Sequence, residues 1–148
     1  MADVATEAPK KEVRKRKPKV LVARGKRKRA IARASISAGT GKITFNGVDA
    51  YKLDNSFVRQ IILEPIDVAG GISAYDLKVW AQGGGTMGQA QAARTAIAKA
   101  LVGFSSDSSL KKTFSDNDRS FLVEDPRRVE PKKFKGPKAR ARFTKSYR

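Results

Sequence analysis

Charge is segregated along this chain, and that segregation limits how much of it can fold. Residues 1–35 carry 13 basic and 3 acidic side chains, residues 36–125 carry 9 and 10, and residues 126–148 carry 10 and 1. The nets of +10, −1 and +9 account for the whole formal charge of +18 over 148 residues. A nearly neutral body therefore lies between two cationic arms. Apolar periodicity is confined to the body, so the core has to be built there. We expect a basic N-terminal extension over residues 1–19, a globular part over 20–125 and a basic tail over 126–148. The extension has almost nothing to bury and is expected to be disordered. The tail is punctuated by Pro126, Pro131, Gly136 and Pro137, which oppose a continuous helix. Residues 131–148 are read as extended, with a reach of roughly 60 Å at about 3.3 Å per residue.

A surplus of this size repels itself in a compact monomer, so a polyanion is the expected counterpart. The chain has no His and no Cys. That removes imidazole bases, thiolate nucleophiles, zinc knuckles and disulfides, and no cofactor or metal is expected. Catalysis by Asp, Glu, Lys or Ser stays formally open, but the reading is of a protein that is not an enzyme. No run approaches 18 apolar residues and no apolar h-region opens the chain, so neither a membrane span nor a secretory signal is expected. The lack of cysteine fits a reducing cytoplasm.

Within the body, Val20 to Ala23 suggest a short strand. Residues 29–37 alternate, with Ala30, Ala32, Ala34 and Ile36 on one face. Gly39-Thr40-Gly41 reads as a turn. Ile43 and Phe45 mark the next strand, Asn46-Gly47 signals a hairpin, and Val48 to Tyr51 should form a third short strand or loop. Asp54, Asn55 and Ser56 are cap candidates for a helix whose apolar face holds Val58, Ile61, Ile62 and Ile66, and which Pro65 should end or kink. Tyr75, Leu77, Val79 and Ala81 alternate with Asp76, Lys78, Trp80 and Gln82 as a half-buried strand. Thr86 with Gln89 resembles a capping box opening a second helix, with Ala93, Ile97, Ala100, Leu101 and Phe104 inward and Arg94, Thr95 and Lys99 off that face. A short helix over Ser109–Phe114 and a strand over Phe121–Val123 complete the body. The order implies an α+β two-layer sandwich with helices on one face of the sheet.

Four motifs bear on chemistry. Gly83-Gly84-Gly85-Thr86-Met87-Gly88 spells G-x-G-x-x-G between a strand and a helix, with Asp107 near the distance of a ribose-binding acid. No second mononucleotide-binding half follows, and Gln89 stands where a Walker loop needs Lys, so a dinucleotide site is set aside. Two readings stay open: a turn permitting close helix–sheet packing, or a helix N-terminus holding an RNA phosphate. The basic run Arg24, Lys26, Arg27, Lys28 and Arg29, extended by Arg33, leads into the first long strand. It is read as a phosphate-binding element, against a solvated face or an import signal. Asp116, Asp118, Glu124 and Asp125 are read as helix ends, turns and salt bridges to Arg119, Arg127 or Arg128, because no catalytic partner accompanies them. In the tail, Lys138, Arg140 and Arg142 alternate with Ala139 and Ala141, which would align the cations in an extended chain, and Phe143 and Tyr147 are candidates to stack on bases. The tail has no amphipathic face for a membrane surface. A two-armed nucleic-acid binder follows, with a chromatin or nucleoid protein as the alternative to an RNA-bound one.

Three blocks are more specific: Gly25-Lys26-Arg27-Lys28 before Ala30-Ile31-Ala32-Arg33-Ala34, Gly83 to Ala92 continuing to Leu101, and Asp125-Pro126-Arg127-Arg128-Val129-Glu130-Pro131-Lys132-Lys133. From Val20 to Arg148 the chain resembles the family of the ninth ribosomal small-subunit protein. Its last residues, Ala139 to Arg148, look like the archaeal and eukaryotic branch, and an archaeal source is favoured. The resemblance implies the fold of the second domain of ribosomal protein S-five, with a mixed sheet and a left-handed βαβ crossover. It implies a cytoplasmic place in the head of the small subunit, on the 3′ major domain of 16S-type rRNA and beside other head proteins, with no membrane partner and no homo-oligomer. It also implies that Arg24, Lys26, Arg27, Lys28, Arg29, Arg33, Arg127, Arg128, Lys132, Lys133, Lys135, Lys138, Arg140 and Arg142 contact rRNA. The end of the tail, Lys145, Ser146, Tyr147 and Arg148, would touch the P-site tRNA. In that family the Gly-rich block is structural.

Overall fold

Alternating apolar residues drive the first half of the body into sheet, and a computed structural model describes it with the rest of residues 20–144. The expected N-terminal extension and the tail end Lys145 to Arg148 lie outside the described residues. Strand β1 (Val20–Arg27) pairs antiparallel with β2 (Ala30–Ala38). β1 is twice as long as the Val20–Ala23 strand expected, because pairing continues through Arg24↔Arg33 and Gly25↔Ala32 to Arg27↔Ala30. The basic run is therefore the end of a hairpin instead of a lead-in to a strand. Lys28-Arg29 is its two-residue loop, with Lys28 at φ 54°.

Strands β3 (Ile43–Phe45) and β4 (Val48–Asp49) are joined at Asn46-Gly47, whose φ values of 49° and 86° are the positive pair that such hairpins require. β4 stops short of the Val48 to Tyr51 stretch expected. Asp49 accepts a bond from the Tyr51 N–H at 3.1 Å and tightens Ala50–Lys52 into a 3-10 turn. β5 (Tyr75–Gln82) then enters between β2, to which it is antiparallel, and β3, to which it is parallel. The sheet is mixed, in the order β1-β2-β5-β3-β4.

Helix α1 (Ser56–Val68) is capped by Asn55, whose Oδ1 accepts from the N–H groups of Phe57 and Val58 at 3.0 and 3.2 Å. Pro65, expected to end or kink this helix, does not end it: α1 runs on to Val68, and burial of Pro65 and Ile66 offsets the bond that the Ile61 carbonyl loses. Helix α2 (Thr86–Ser105) lies across β1, β2 and α1. Its N-cap is Gly85, not Thr86, and no side chain caps it; Gln89 Nε2 donates instead to the Gly83 carbonyl at 3.2 Å. The buried face is wider than expected. Ala90, Ala92, Ala96 and Ala98 join Ala93, Ile97, Ala100 and Leu101, while Phe104 is half-buried. Thr95 is buried too, its hydroxyl donating toward the carbonyls of Gln91 and Ser120.

Helix α3 (Ser108–Asn117) is followed by a 3-10 turn over Arg119–Phe121, in place of the expected strand. Asp118 accepts from the Ser120 N–H at 2.8 Å and closes the turn. Phe121 then packs on Phe114, centroids 5.2 Å apart, instead of pairing with a strand. The helices cover one face of the sheet. Against it lie Ala30, Ala32, Ala34 and Ile36 of β2 and Leu77 and Val79 of β5, all essentially inaccessible. Fully burying each of the larger side chains contributes about 1.5–3 kcal/mol.

Candidate nucleic-acid interface

The hairpin tip owes its position to glycine. A Cβ on Gly25 would stand 2.1 Å from the Ala92 carbonyl oxygen and 2.7 Å from the Ala96 nitrogen, so β1 rests directly on the α2 backbone. At the other end of the contact, Gly83 and Gly84 adopt φ 76° and 64°. A Cβ on Gly83 would lie 2.7 Å from the Arg29 carbonyl oxygen, and one on Gly84 would lie 3.1 Å from the Ala30 nitrogen. The Gly-rich turn is thus packed beneath the hairpin tip. The close-packing reading of this motif holds, and it has a consequence for charge. Among Thr86, Met87 and Gly88, the first N–H groups of α2 have no intrahelical partner, no side chain caps them, and they open beside Lys28 and Arg29, which are exposed.

The acidic group binds the C-terminal segment to this site. Asp125 pairs with Arg27 and also with Arg127, whose Nη2 lies 2.6 Å away. Arg128 Nη1 donates to the Asp125 and Arg127 carbonyls at 3.3 and 3.1 Å. Glu124 takes Lys99 at 3.1 Å and lies 3.9 Å from Arg24, while Lys99 also donates to the Arg24 carbonyl. Of the pairings expected, Asp125–Arg127 forms; Asp118 goes to Arg94 instead. Arg27 is turned inward, its side chain 22% exposed, while Arg127 remains 79% exposed. The hairpin tip and the Arg127-Arg128 segment are thereby held on one side of the body.

Periodicity sets Arg94 off the buried face, yet the residue is central. Its Nε lies 2.7 Å from Glu64 Oε2, Nη1 donates to Asp118 and Ser120 at 3.0 and 2.7 Å, and the guanidinium lies 3.9 Å from the Phe121 ring centroid. The Ser120 hydroxyl and N–H, followed by Arg94, hold the Asp118 carboxyl below its ordinary value. A groove of about 1040 Å³ passes between Arg27, Glu64, Arg94, Asp118 and Asp125. Arg27, Arg94 and Arg127 in its wall are paired with Asp125, Glu64 and Asp118, which weakens their pull on a polyanion. No group of three or more residues suited to hold a metal ion occurs among the described residues, and none of their helices is long and apolar enough to cross a membrane.

The tail departs from the extended form expected of it. Among the described residues it has no helix or strand after Phe121, as its prolines require, but it doubles back. Arg142 Nη1 donates to the Phe134 carbonyl at 2.7 Å, and Glu130 takes both Lys133 and Arg140, at 2.9 and 3.0 Å. Lys133 and then Arg140 lower the Glu130 carboxyl from its usual range. Buried Gly136 sits where a Cβ would meet the Ala141 carbonyl oxygen at 2.0 Å. Phe134 and Phe143 are exposed and share a shallow groove with Lys132, Lys133 and Lys135. Lys138 is exposed nearby. Lys145, Ser146, Tyr147 and Arg148 fall outside the described residues.

Sequence reasoning passed over the open face of the sheet. Arg24 and Arg33 project there with Lys78 and Trp80, on the side opposite the helices. The signal available was an aromatic residue on the polar side of an alternating strand.

A family model described as Ribosomal protein S9/S16 matches residues 25–148. The small ribosomal subunit protein uS9 of Methanothrix thermoacetophila is 42% identical over 131 residues, which cover 88% of this chain and 99% of that relative. The three blocks that carry the resemblance read from the sequence lie within the matched residues.

Proposed function

Since this chain belongs to the ribosomal protein S9/S16 family, a class of structural constituents of the small ribosomal subunit that bind rRNA, we propose that it joins the 3′ major domain of the rRNA in the subunit head. It does so as a ribonucleoprotein component in the cytoplasm and performs no catalysis. Phosphates lie between the exposed Lys28-Arg29 loop, Lys26 and the uncapped N-terminus of α2, where side-chain cations and backbone N–H groups converge. Arg27 serves indirectly: paired to Asp125, it fixes Arg127 and Arg128 beside the hairpin. Lys132, Lys133, Lys135, Lys138, Arg140 and Arg142 continue the contact along the tail, whose Glu130 pairs open as rRNA phosphates replace the carboxylate. Lys145 to Arg148 then reach the P-site tRNA.

The observation that carries this reading is the seating of the Gly83–Gly85 turn under the hairpin tip. It brings a helix N-terminus and a cationic loop to one place. A sucrose-gradient profile of a lysate tests it. The protein should travel with the small subunit and stay there through a high-salt wash. Release by salt, or sedimentation with nucleoid DNA, would favour a DNA-bound role and contradict the proposal.

A further inference from the structure

The hairpin tip occupies one end of the sheet and leaves its open face without a task. Register sets Arg24 opposite Arg33, and Arg33 opposite Trp80, in one row across β1, β2 and β5. Two arginines directly opposite each other on an open sheet repel. The ion pair of Arg24 does not relieve this, since its contact with Glu124 is 3.9 Å long and leaves its side chain 67% exposed. Arg33 and Lys78, two residues before Trp80 on β5, are exposed and make no ion pair among the described residues. Asp76, the β5 carboxylate on this face, is occupied at the far end, accepting from the Thr40 and Lys42 N–H groups at 2.8 and 3.0 Å.

At the β5 end of this row, Trp80 is 63% exposed. It borders a shallow groove of about 350 Å³ shared with Ile31, Arg33, Asn46 and Gln82. The rim is rigid, because the Asn46 carboxamide bonds both the N–H and the carbonyl of Ala81, at 2.8 and 3.2 Å. The Gln82 side chain, in contrast, makes no hydrogen bond among the described residues.

We infer that this face is a stacking platform for an unpaired RNA nucleotide. The base lies on the Trp80 indole, its edge within reach of Gln82, and the flanking phosphates lie among Arg24, Arg33 and Lys78, where they end the Arg24–Arg33 repulsion. The charge pattern selects this occupant over a protein. Arg24, Arg33 and Lys78 share the face with Trp80, and the two carboxylates that the register puts there, Asp76 and Asp49, each accept from backbone N–H groups. The inference rests on the rRNA-binding reading and adds the form of RNA required. A duplex keeps its bases stacked on one another and has none to offer.

Trp80 is the sole tryptophan in the chain, so intrinsic fluorescence reports on this site directly. The full-length chain would be titrated with single-stranded oligouridylate and oligoadenylate, with duplex RNA and with inorganic polyphosphate, while anisotropy of labelled RNA reads binding independently. Single strands should quench the emission in step with binding; polyphosphate and duplex should bind without quenching. Trp80→Leu should weaken single-strand binding by about five- to a hundredfold. It should leave the salt dependence unchanged, because no cation is removed, and Trp80→Phe should restore most of the affinity. Single-strand binding with unaltered emission, or wild-type affinity in Trp80→Leu, would overturn the platform and leave the rRNA reading standing. Failure to bind any RNA would overturn both. An emission change seen only when other small-subunit proteins are added would give the face to a protein and overturn the inference.

Discussion

A single methyl group on Gly25 has no room, because the atoms it would meet belong to the α2 backbone and cannot rotate away. Gly25→Ala should therefore lift β1 from α2 and cost about 3 kcal/mol. Urea unfolding of the full chain checks this, and an unchanged midpoint would refute it. Asp76 illustrates the opposite economy, one side chain closing a turn. The Lys42 N–H first, then that of Thr40, hold its carboxyl below the ordinary value of 3.8. Because the folded value is the lower one, its contribution is in place above about pH 4 and disappears as pH falls through the lowered value. Asp76→Asn should melt at a lower temperature than wild type at neutral pH, and the two should converge as the solution is acidified. Parallel melting curves down to pH 2 would show that the carboxylate contributes nothing there. At this scale the sequence is only partly readable. Asn46-Gly47 declares its backbone conformation through residue type. Thr86 resembles a cap, but Gly85, with no side chain to bond, takes that place because the turn before it has to fit beneath Ala30.

Among the elements, α2 shows why helical periodicity names some core residues and misses others. Ala93, Ile97, Ala100 and Leu101 are legible because one apolar face must meet the sheet. Ala90, Ala92, Ala96 and Ala98 are not, since β1, α1 and the turn after α3 pack around α2 on further sides, and such coverage is set by chain segments distant in sequence. Arg94 is the clearest case. It is polar and off the main stripe, yet it joins Glu64 of α1 to Asp118 beyond α3, and nothing local to residue 94 encodes that. Arg94→Met should destabilise the fold by about 2 kcal/mol. That is less than the roughly 3–5 kcal/mol of a fully buried pair, because Glu64 and Asp118 stay partly hydrated. Thermal unfolding of the variant measures it, and a stability equal to wild type would mean that the ion pairs and the Phe121 contact are incidental. The strand expected at Phe121–Val123 fails for a related reason. Its alternation is too short to outweigh the Asp118 cap and the pocket for Phe121 beside Phe114.

For the whole molecule, charge segregation predicts the division of labour: a core whose last buried residue of the body is Phe121, and cations beyond it. It could not foresee that Glu124 and Asp125 would dock the tail root against β1, nor that Glu130 would fold the described tail back on itself. Those are side-chain pairings in space, which charge counted along the chain does not reveal. Deleting residues 146–148 should leave folding and subunit assembly intact and weaken P-site tRNA binding only partly, at about 1–3 kcal/mol for each phosphate no longer held. Filter binding of tRNA to subunits carrying the shortened protein would show it, and equal affinity across a range of Mg²⁺ and salt would remove the tRNA role. The most direct test of the central claim is the salt dependence of binding to a transcript of the rRNA 3′ major domain, comparing wild type with a Lys26→Ala, Lys28→Ala, Arg29→Ala variant. These three cations lie at the hairpin tip, and Arg27, which holds the tail root, is left in place. We predict weaker binding and a log–log slope shallower by about two to three units, close to one for each phosphate released from its cation. An unchanged slope with unchanged affinity would contradict the account, because the hairpin and the helix end beside it would then not be where the rRNA is held.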